Sequence, residues 1–216
     1  MPAICGIALA LCFFSRALPA QAATPAPAAT SAKTIVFLGD SLTAGFGLPP
    51  SEAFPALIAE KIREASLPFR VENAGLSGDT SAGALRRTDW MLQRPIDVLV
   101  IALGGNDGLR GQPVKSLKAN LQAIIDKAKW KNPAVKIVIA GMQIPPNMGA
   151  AYAEDFARVY AELALENNAV LIPFLLEGVG GRRDLNQPDL IHPTAAGQRI
   201  IADLVWRALE PILRKG

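Results

Sequence analysis

The sequence contains few of the residues on which thiol and metal chemistry depend. Its 216 residues include only two cysteines and one histidine. Both cysteines, Cys5 and Cys12, lie close to the amino terminus, so the rest of the chain can form neither a disulfide nor a thiolate metal site. Catalysis by a cysteine is therefore excluded for the body of the protein.

An excess of charge of one sign is also missing. The formal net charge is +3, and the lysines and arginines are scattered among aspartates and glutamates. A protein that follows a nucleic acid backbone needs a basic stripe, so we do not expect nucleic acid as a partner. The chain has no heptad pattern that would indicate an obligate partner helix, and we expect a monomer.

No apolar run is long enough to cross a bilayer, which takes about 20 residues. The stretch from Ile4 to Phe14 has instead the length of a signal-peptide hydrophobic region, and Ala20-Gln21-Ala22 has the small residues of a cleavage site. The segment departs from the usual pattern because Met1-Pro2-Ala3 carries no positive charge. We predict a signal peptide over 1–22, a flexible Ala/Pro-rich segment over 23–32 and one catalytic domain over 33–216. The protein is then expected to be periplasmic or secreted, without stable membrane insertion.

From Lys33 onward, apolar runs rich in β-branched residues alternate with longer amphipathic stretches. This alternation is typical of parallel strands joined by crossover helices, and the continuous apolar strands indicate a sheet covered on both faces. We therefore predict an α/β fold. The predicted strands are 34–38, 69–73, 98–103, 135–140 and 170–172, and the predicted helices are 53–65, 81–93, 114–129, 150–166 and 194–214. Functional groups in such a sheet lie beyond the carboxyl ends of the strands.

His192 is the only histidine, so any mechanism that moves a proton through an imidazole must use it. Asp189 precedes it by three residues and can turn back to accept the imidazole N–H, as the third member of a catalytic triad does. Pro193 suits the first turn of the last helix. A structural histidine and a helix-capping aspartate are the alternatives for the pair.

Ser41 follows the first predicted strand within Gly39-Asp40-Ser41-Leu42. A serine at this point can present its hydroxyl as a nucleophile, although an ordinary turn or cap serine would have the same short sequence. Asp40 can order the turn by accepting backbone N–H groups, and a solvated loop aspartate is the alternative. Ser41 becomes a candidate nucleophile only together with the segments that follow the other strands.

Two further segments supply neutral hydrogen-bond donors of the kind that stabilise an oxyanion. Gly78 has no side chain to block its N–H, and Asn106, after Gly104-Gly105, carries an amide. Gly104-Gly105 could instead cradle a phosphate, but the chain lacks a P-loop and a glycine fingerprint after its first strand. A nucleotide site is therefore the weaker interpretation.

Together these segments resemble the SGNH (GDSL) hydrolase family. GDSL with Ser41, a block with Gly78, GGND with Asn106 and DxxH with Asp189 and His192 occur in the family's order, over the chain from about Thr34 to its carboxyl terminus. The longer strings FLGDSLTAGFGL, GLSGDTSAGALRR and GGNDGLRG are similar to its bacterial acyl-CoA thioesterase, protease, lysophospholipase and arylesterase subgroup.

The resemblance implies a three-layer, flavodoxin-like α/β/α sandwich with a five-stranded parallel sheet and no metal or organic cofactor. It implies that Ser41, Asp189 and His192 form a catalytic triad. The oxyanion hole would consist of the Ser41 N–H, Gly78 and Asn106. The implied substrates are small-molecule or lipid acyl esters and thioesters.

Leu76, Leu109 and Ile144 are candidates to line an acyl-chain site, although such residues more often belong to the core. Two other functions stay open at this point. One is a carbohydrate O-deacetylase on the same scaffold, which would prefer acetylated sugars over longer acyl esters. The other is a non-enzymatic exported binding protein, which would keep its function in vivo without Ser41.

Overall fold

A five-stranded parallel sheet forms the centre of the part of the chain, residues 32–215, that the computed structural model describes. The strands lie side by side in the order β2-β1-β3-β4-β5. Their bounds are β1 Lys33–Gly39, β2 Phe69–Gly75, β3 Val98–Ala102, β4 Lys136–Ala140 and β5 Val170–Ile172.

Helices cover both faces of this sheet. The helices are α1 Ser41–Ala44, α2 Phe54–Glu64, α3 Ser81–Met91, α4 Gly105–Leu109, α5 Val114–Lys131, α6 Ala150–Asn167 and α7 Ala195–Leu213, with short 3₁₀ turns at Pro50–Glu52 and Pro146–Met148. Helices α2 and α7 pack against each other, and α5 packs between α3 and α6. The result is the three-layer arrangement that right-handed crossovers produce in a doubly wound sheet.

The strand order places a topological switch between β1 and β3. The chain goes outward from β1 to β2 and then returns past β1 to β3, so the loops after β1 and β3 diverge to opposite sides of the sheet. Gly39, the last residue of β1, is level with Gly75 of β2 and Ala102 of β3. Ligand sites in open α/β sheets form at such a switch, at the carboxyl edge.

The core lies on the central strands. Residues 35–38 of β1 and all of β3 are buried, and the rings of Phe37 and Phe54 meet edge to face with their centroids 5.5 Å apart. The amino end of β1 is fixed by Asp97, whose carboxylate accepts the Thr34 N–H at 2.7 Å. The segments that follow β1 and β3 therefore begin at strands that are buried in the core.

The predicted fold class is confirmed, and all five predicted strands and five predicted helices are present with ends within two residues. The sequence interpretation was wrong in two details. It treated the residues after β1 and β3 as loops, but they form the short helices α1 and α4, which are too short to give a periodic signal. It placed Pro193 in the first turn of α7, but Pro193 lies before the N-cap Thr194. Strand β2 lies at the edge of the sheet and is only partly buried.

The predicted signal peptide, 1–22, and nearly all of the predicted segment 23–32 lie outside the described residues. Between residues 32 and 215, no helix combines the length and the apolar character needed to span a membrane.

Candidate active site

Ser41 is the first residue of α1 and lies directly beyond the buried strand β1. The Asp40 carboxylate caps this helix by accepting the Leu42 N–H at 3.0 Å. The helix ends after one turn at Gly45, whose φ of 75° is accessible to glycine at little cost. A capped single turn between a rigid strand and a glycine fixes the position of the serine.

His192 and Asp189 lie on the loop before α7, at the same edge of the sheet. One carboxylate oxygen of Asp189 accepts the backbone N–H groups of Ile191 and His192, at 2.9 and 3.0 Å. The other lies 2.6 Å from Nδ1 of the His192 ring. This turn places Leu190 at a φ of 61°, in the left-handed region that a branched side chain seldom adopts. The aspartate thus orders both the loop and the ring.

The structure brings Ser41, His192 and Asp189 into one row of hydrogen bonds. The Oγ atom of Ser41 lies 2.9 Å from Nε2 of His192, on the far side of the ring from Asp189. Because an ionised carboxylate can only accept, Nδ1 carries the hydrogen and Nε2 is left to accept the serine O–H. Hydrogen bonds from the His192 backbone, the His192 ring and the Ile191 backbone lower the pKa of Asp189 to about 2. Asp189 is therefore ionised at any pH near neutrality.

Asn106 is carried by α4, which begins where β3 ends. Its N-cap Gly104 has a φ of 113°, and a Cβ at that position would lie 2.1 Å from the Tyr160 hydroxyl. The Nδ2 group of Asn106 lies 3.3 Å from the Asp40 carboxylate. This hydrogen bond joins α4 to the turn that carries Ser41.

Gly78 lies in the turn between β2 and α3, with a φ of 79°. The turn is closed by a hydrogen bond from the Asp79 N–H to the Leu76 carbonyl, and the Leu76 N–H is bonded to the Gly39 carbonyl. Arg110 donates to the Gly78 carbonyl at 3.1 Å. These bonds hold the Gly78 turn beside the ends of β1 and α4.

For Asp40 the sequence left a solvated loop position open as an alternative. In the structure Asp40 is buried. Burial raises the pKa of Asp40 to about 6, against the lowering effects of the Leu42 N–H and the Asn106 amide. The sequence offered no signal for this burial, because it depends on the approach of α4.

A cavity of about 510 Å³ opens beside Ser41 and His192. This volume lies within the range of small-molecule sites. Leu109 and Ile144 line the cavity, whereas Leu76 is exposed and lies outside its lining. The other apolar side chains of the lining are Leu42, Met142, Pro145, Phe174, Leu176, Leu190 and Ile191. The wall of the cavity is therefore mainly apolar.

Two contacts of His192 were not predicted from the sequence. The ring of Phe46 lies with its centroid 4.5 Å from that of His192, tilted by 39°. Gln187 donates from its side chain to the Phe46 carbonyl and from its backbone to the His192 carbonyl, both at 2.7 Å. Gln187 thereby joins the loop after α1 to the His192 loop, and only their approach in space makes this visible.

A second, larger depression of about 760 Å³ lies at the opposite, amino edge of the sheet, between the starts of the strands and the end of α7. None of the site residues discussed above lines it.

Among residues 32–215, no group of three or more His, Cys, Asp or Glu side chains could hold a metal ion.

The strand order and the flanking helices define a three-layer α/β/α protein of the flavodoxin-like class, with its candidate site at the carboxyl edge of the sheet. Residues 37–200 match the GDSL-like Lipase/Acylhydrolase family. The chain belongs to this family, and it is an enzyme, a carboxylic ester hydrolase.

Individual relatives agree with this assignment. The chain is 42% identical over 185 residues to the esterase TesA of Pseudomonas aeruginosa, with 85% of this chain and 90% of the relative covered. It is 37% identical over 187 residues to thioesterase 1/protease 1/lysophospholipase L1 of Escherichia coli K12, with 86% and 87% covered. The crystal structure of TesA superposes with a TM-score of 0.80 at 41% identity, over 83% of this chain and 99% of that structure.

Proposed function

We propose that the protein hydrolyses acyl esters and thioesters through an acyl-enzyme formed on Ser41, with His192 as base and Asp189 as its orienting carboxylate. The observation that carries the proposal is the row of hydrogen bonds from Ser41 Oγ through the imidazole to Asp189, beside an apolar cavity. A nucleophile held by a base, which is itself held by a carboxylate, is the arrangement that activates a hydroxyl for acyl transfer.

In the first half of the reaction, Ser41 Oγ attacks the carbonyl carbon while its proton passes to Nε2 of His192. The carbonyl oxygen takes up the electron pair and becomes an oxyanion. When the intermediate collapses, the bond to the leaving oxygen or sulfur breaks and Nε2 returns its proton to the leaving group. In the second half, water attacks the acyl-enzyme with His192 as base, and the acid is released from Ser41. Asp189 stays ionised and stabilises the imidazolium in both halves.

The oxyanion would be held by three donors: the N–H groups of Ser41 and Gly78 and the side-chain amide of Asn106. The Ser41 N–H is at the start of α1 and has no partner within that helix. Removal of one such donor costs about 3 to 4 kcal/mol of transition-state stabilisation. The hydrogen bonds that fix the Gly78 turn and α4 against β1 support this assignment.

The apolar cavity supports an acyl chain as the part of the substrate that binds beside Ser41. Leu109 and Ile144 provide apolar surface there, which suits a hydrocarbon chain better than a sugar. The activities for which relatives are named, arylesterase and thioesterase 1/protease 1/lysophospholipase L1, support aryl esters, acyl-CoA thioesters and lysophospholipids as candidate substrates. We also propose export to the periplasm or the medium, supported by the signal-peptide pattern of residues 1–22.

The mechanism is tested with p-nitrophenyl esters from acetyl to palmitoyl and with acyl-CoA, measured for the wild type and for Ser41→Ala. Ser51→Ala, at an exposed serine, is the matched control. We expect Ser41→Ala to abolish turnover and Ser51→Ala to retain it. Covalent labelling by a p-nitrophenyl phosphonate, located by mass spectrometry, should be found on Ser41. Full activity of Ser41→Ala would overturn the mechanism.

The same assay includes acetylated sugars, because a carbohydrate O-deacetylase is the rival function. Preference for acetylated sugars over acyl esters of every length would replace the proposed substrate class and leave the serine mechanism intact. Export is tested by fractionation of cells that express the full chain, followed by amino-terminal sequencing. We expect a mature protein that starts near Ala23, and retention of residues 1–22 in the cytoplasm would contradict export.

A further inference from the structure

Each segment that carries a proposed oxyanion donor also holds a buried aspartate next to that donor. Asp40 precedes Ser41, Asp79 follows Gly78 and Asp107 follows Asn106, and the three aspartates are 2%, 8% and 3% exposed. A buried carboxylate is costly unless charged or polar groups satisfy it. In this protein the groups that satisfy them come mainly from neighbouring segments of the site.

Asp107 is bonded to the first residue of α3. One of its oxygens accepts the Ser81 N–H at 2.9 Å, and the other accepts the Ser81 hydroxyl at 2.5 Å. Ser81 is fully buried and follows Gly78 by three residues. Its hydroxyl oxygen also accepts the side-chain N–H of Asn120 at 2.9 Å. The Ser81 side chain therefore has one defined orientation, because its donor and its acceptor are both engaged.

The helix α4 is held from two sides. Asn106 donates to Asp40 in the turn before Ser41, and the next residue, Asp107, accepts from Ser81 at the start of α3. Arg87 of α3 connects the Gly78 segment to the end of β1, because it donates to Asp79 at 2.8 Å and to the Gly39 carbonyl at 3.2 Å. The three donor segments are thus joined pairwise by buried or half-buried hydrogen bonds.

We propose that Ser81 and Asp107 are positioning residues that set the separation between the Gly78 N–H and the Asn106 amide around the oxyanion. This inference rests on the proposed function. Neither residue touches the reacting atoms; both act through the two donors. A misplacement of about 1 Å at an active site can lower the rate by about a hundredfold, so a rigid link between donor segments affects catalysis directly.

The geometry favours this role over packing alone. An apolar pair of similar shape would fill the same space without a buried charge, and such replacements are often neutral or stabilising. Directional bonds from both oxygens of one carboxylate to one residue instead fix the relative position of α3 and α4. Preorganised donors need no reorganisation when negative charge develops, which is how an oxyanion hole lowers a barrier.

The test uses Ser81→Ala, which removes the hydroxyl and keeps the backbone N–H that Asp107 accepts. We expect kcat for p-nitrophenyl butyrate to fall by on the order of tenfold, with KM changed less than about twofold, since donor position matters most in the transition state. Thr88→Val is the matched control: Thr88 is a fully buried residue of the same helix, and within residues 32–215 its hydroxyl bonds only to the Ala84 carbonyl. Thr88→Val should lower the melting temperature to a similar degree and leave kcat within about twofold of wild type.

A double-mutant cycle shows whether Ser81 acts through the donor. If it does, Ser81→Ala has a smaller effect on kcat in the Asn106→Ala background than in the wild type, because one of the two donors that it positions is already gone. Asp107→Asn should repeat the loss of kcat. An equal factor in both backgrounds, or a kcat for Ser81→Ala as high as for Thr88→Val, would overturn the positioning role.

Covalent labelling of Ser41 distinguishes a failure of this proposal from a failure of the proposed serine mechanism. A wild type whose Ser41 reacts with the p-nitrophenyl phosphonate, together with an unchanged kcat in Ser81→Ala, would overturn the positioning role alone. A folded wild type that neither reacts at Ser41 nor turns over any ester would overturn the proposed function and the positioning role with it.

Discussion

The side-chain amide of Asn106 lies 3.3 Å from the carboxylate of Asp40, a residue that the structure buries almost completely. The two residues are 66 positions apart in sequence and meet only because β1 and β3 are neighbours in the sheet. The contact places a titratable group next to both Ser41 and a proposed oxyanion donor.

The first prediction concerns the pH dependence of stability. Burial raises the pKa of Asp40 from an ordinary value of 3.8 to about 6, so between these values the native state holds a proton that the unfolded state has lost. The free energy of unfolding therefore falls as the pH rises through this window, by on the order of 3 kcal/mol for this group. Asp40→Asn lacks this titration. Urea denaturation of both proteins from about pH 4 to about pH 8 should show the wild type losing stability relative to Asp40→Asn.

The difference between the two proteins isolates Asp40, because all other titrating groups are shared. Two curves that stay parallel across the window would contradict the prediction.

The second prediction concerns Asp189→Asn. The amide keeps an oxygen to accept the Ile191 and His192 N–H groups, but it presents N–H to Nδ1 of the ring. Nδ1 must then accept, so Nε2 carries the hydrogen and cannot take the proton of Ser41. We expect kcat to fall by on the order of 10³-fold or more, as for triad carboxylates elsewhere. Steady-state ester hydrolysis measures it.

Asp184→Asn is the control, since Asp184 is exposed on the same loop and pairs with Arg182 at 2.7 Å. It should retain activity. Because the pKa of Asp189 is about 2, the wild-type profile of kcat/KM should contain no ionisation of this residue near neutral pH. Activity of Asp189→Asn close to that of Asp184→Asn would exclude Asp189 from the mechanism.

The third prediction concerns the ring of Phe46, which packs against the imidazole of His192 and is half exposed. An aromatic contact of this kind is worth about 1 kcal/mol. Loss of it in Phe46→Ala leaves the imidazole less well oriented, and we expect kcat/KM to fall about fivefold. Phe46→Leu, which restores apolar contact without a ring, should lie between Phe46→Ala and the wild type. Equal kcat/KM values for all three proteins would show that the contact does not orient His192.

The fourth prediction separates two leucines of similar exposure. Leu109 is 47% exposed and lines the cavity, whereas Leu76 is 53% exposed and lies outside it. Leu109→Phe should reduce the space for an acyl chain and lower kcat/KM for palmitoyl relative to butyryl esters by roughly tenfold. Leu76→Phe should leave this ratio unchanged. The p-nitrophenyl ester series measures both, and a shift of the ratio in Leu76→Phe alone would place the acyl chain elsewhere.

The positions of the main elements could be predicted from the sequence because their signals are local. The apolar β-branched run at residues 98–102 reads as a buried strand, and the amphipathic stretch of α7 reads as a helix wherever they pack. The carboxyl ends of parallel strands meet at one edge, so Ser41 and Asn106 could be expected near one another. For His192, which lies before α7, the expectation came from the family resemblance. The short turns of α1 and α4 could not be predicted, because four or five residues show no periodicity.

The sequence by itself determined the fold class, the scarcity of candidate bases and the segments in which the chemistry must lie. It holds a single histidine, and segments rich in glycine and polar residues follow the first three predicted strands. Only the tertiary structure decided which side chains meet. The burial of Asp40, the packing of Phe46 on His192, and the bond between Ser81 and Asp107 each depend on the register of neighbouring strands and on helix approach. Those contacts join residues far apart in the chain, and no local preference of either residue encodes them.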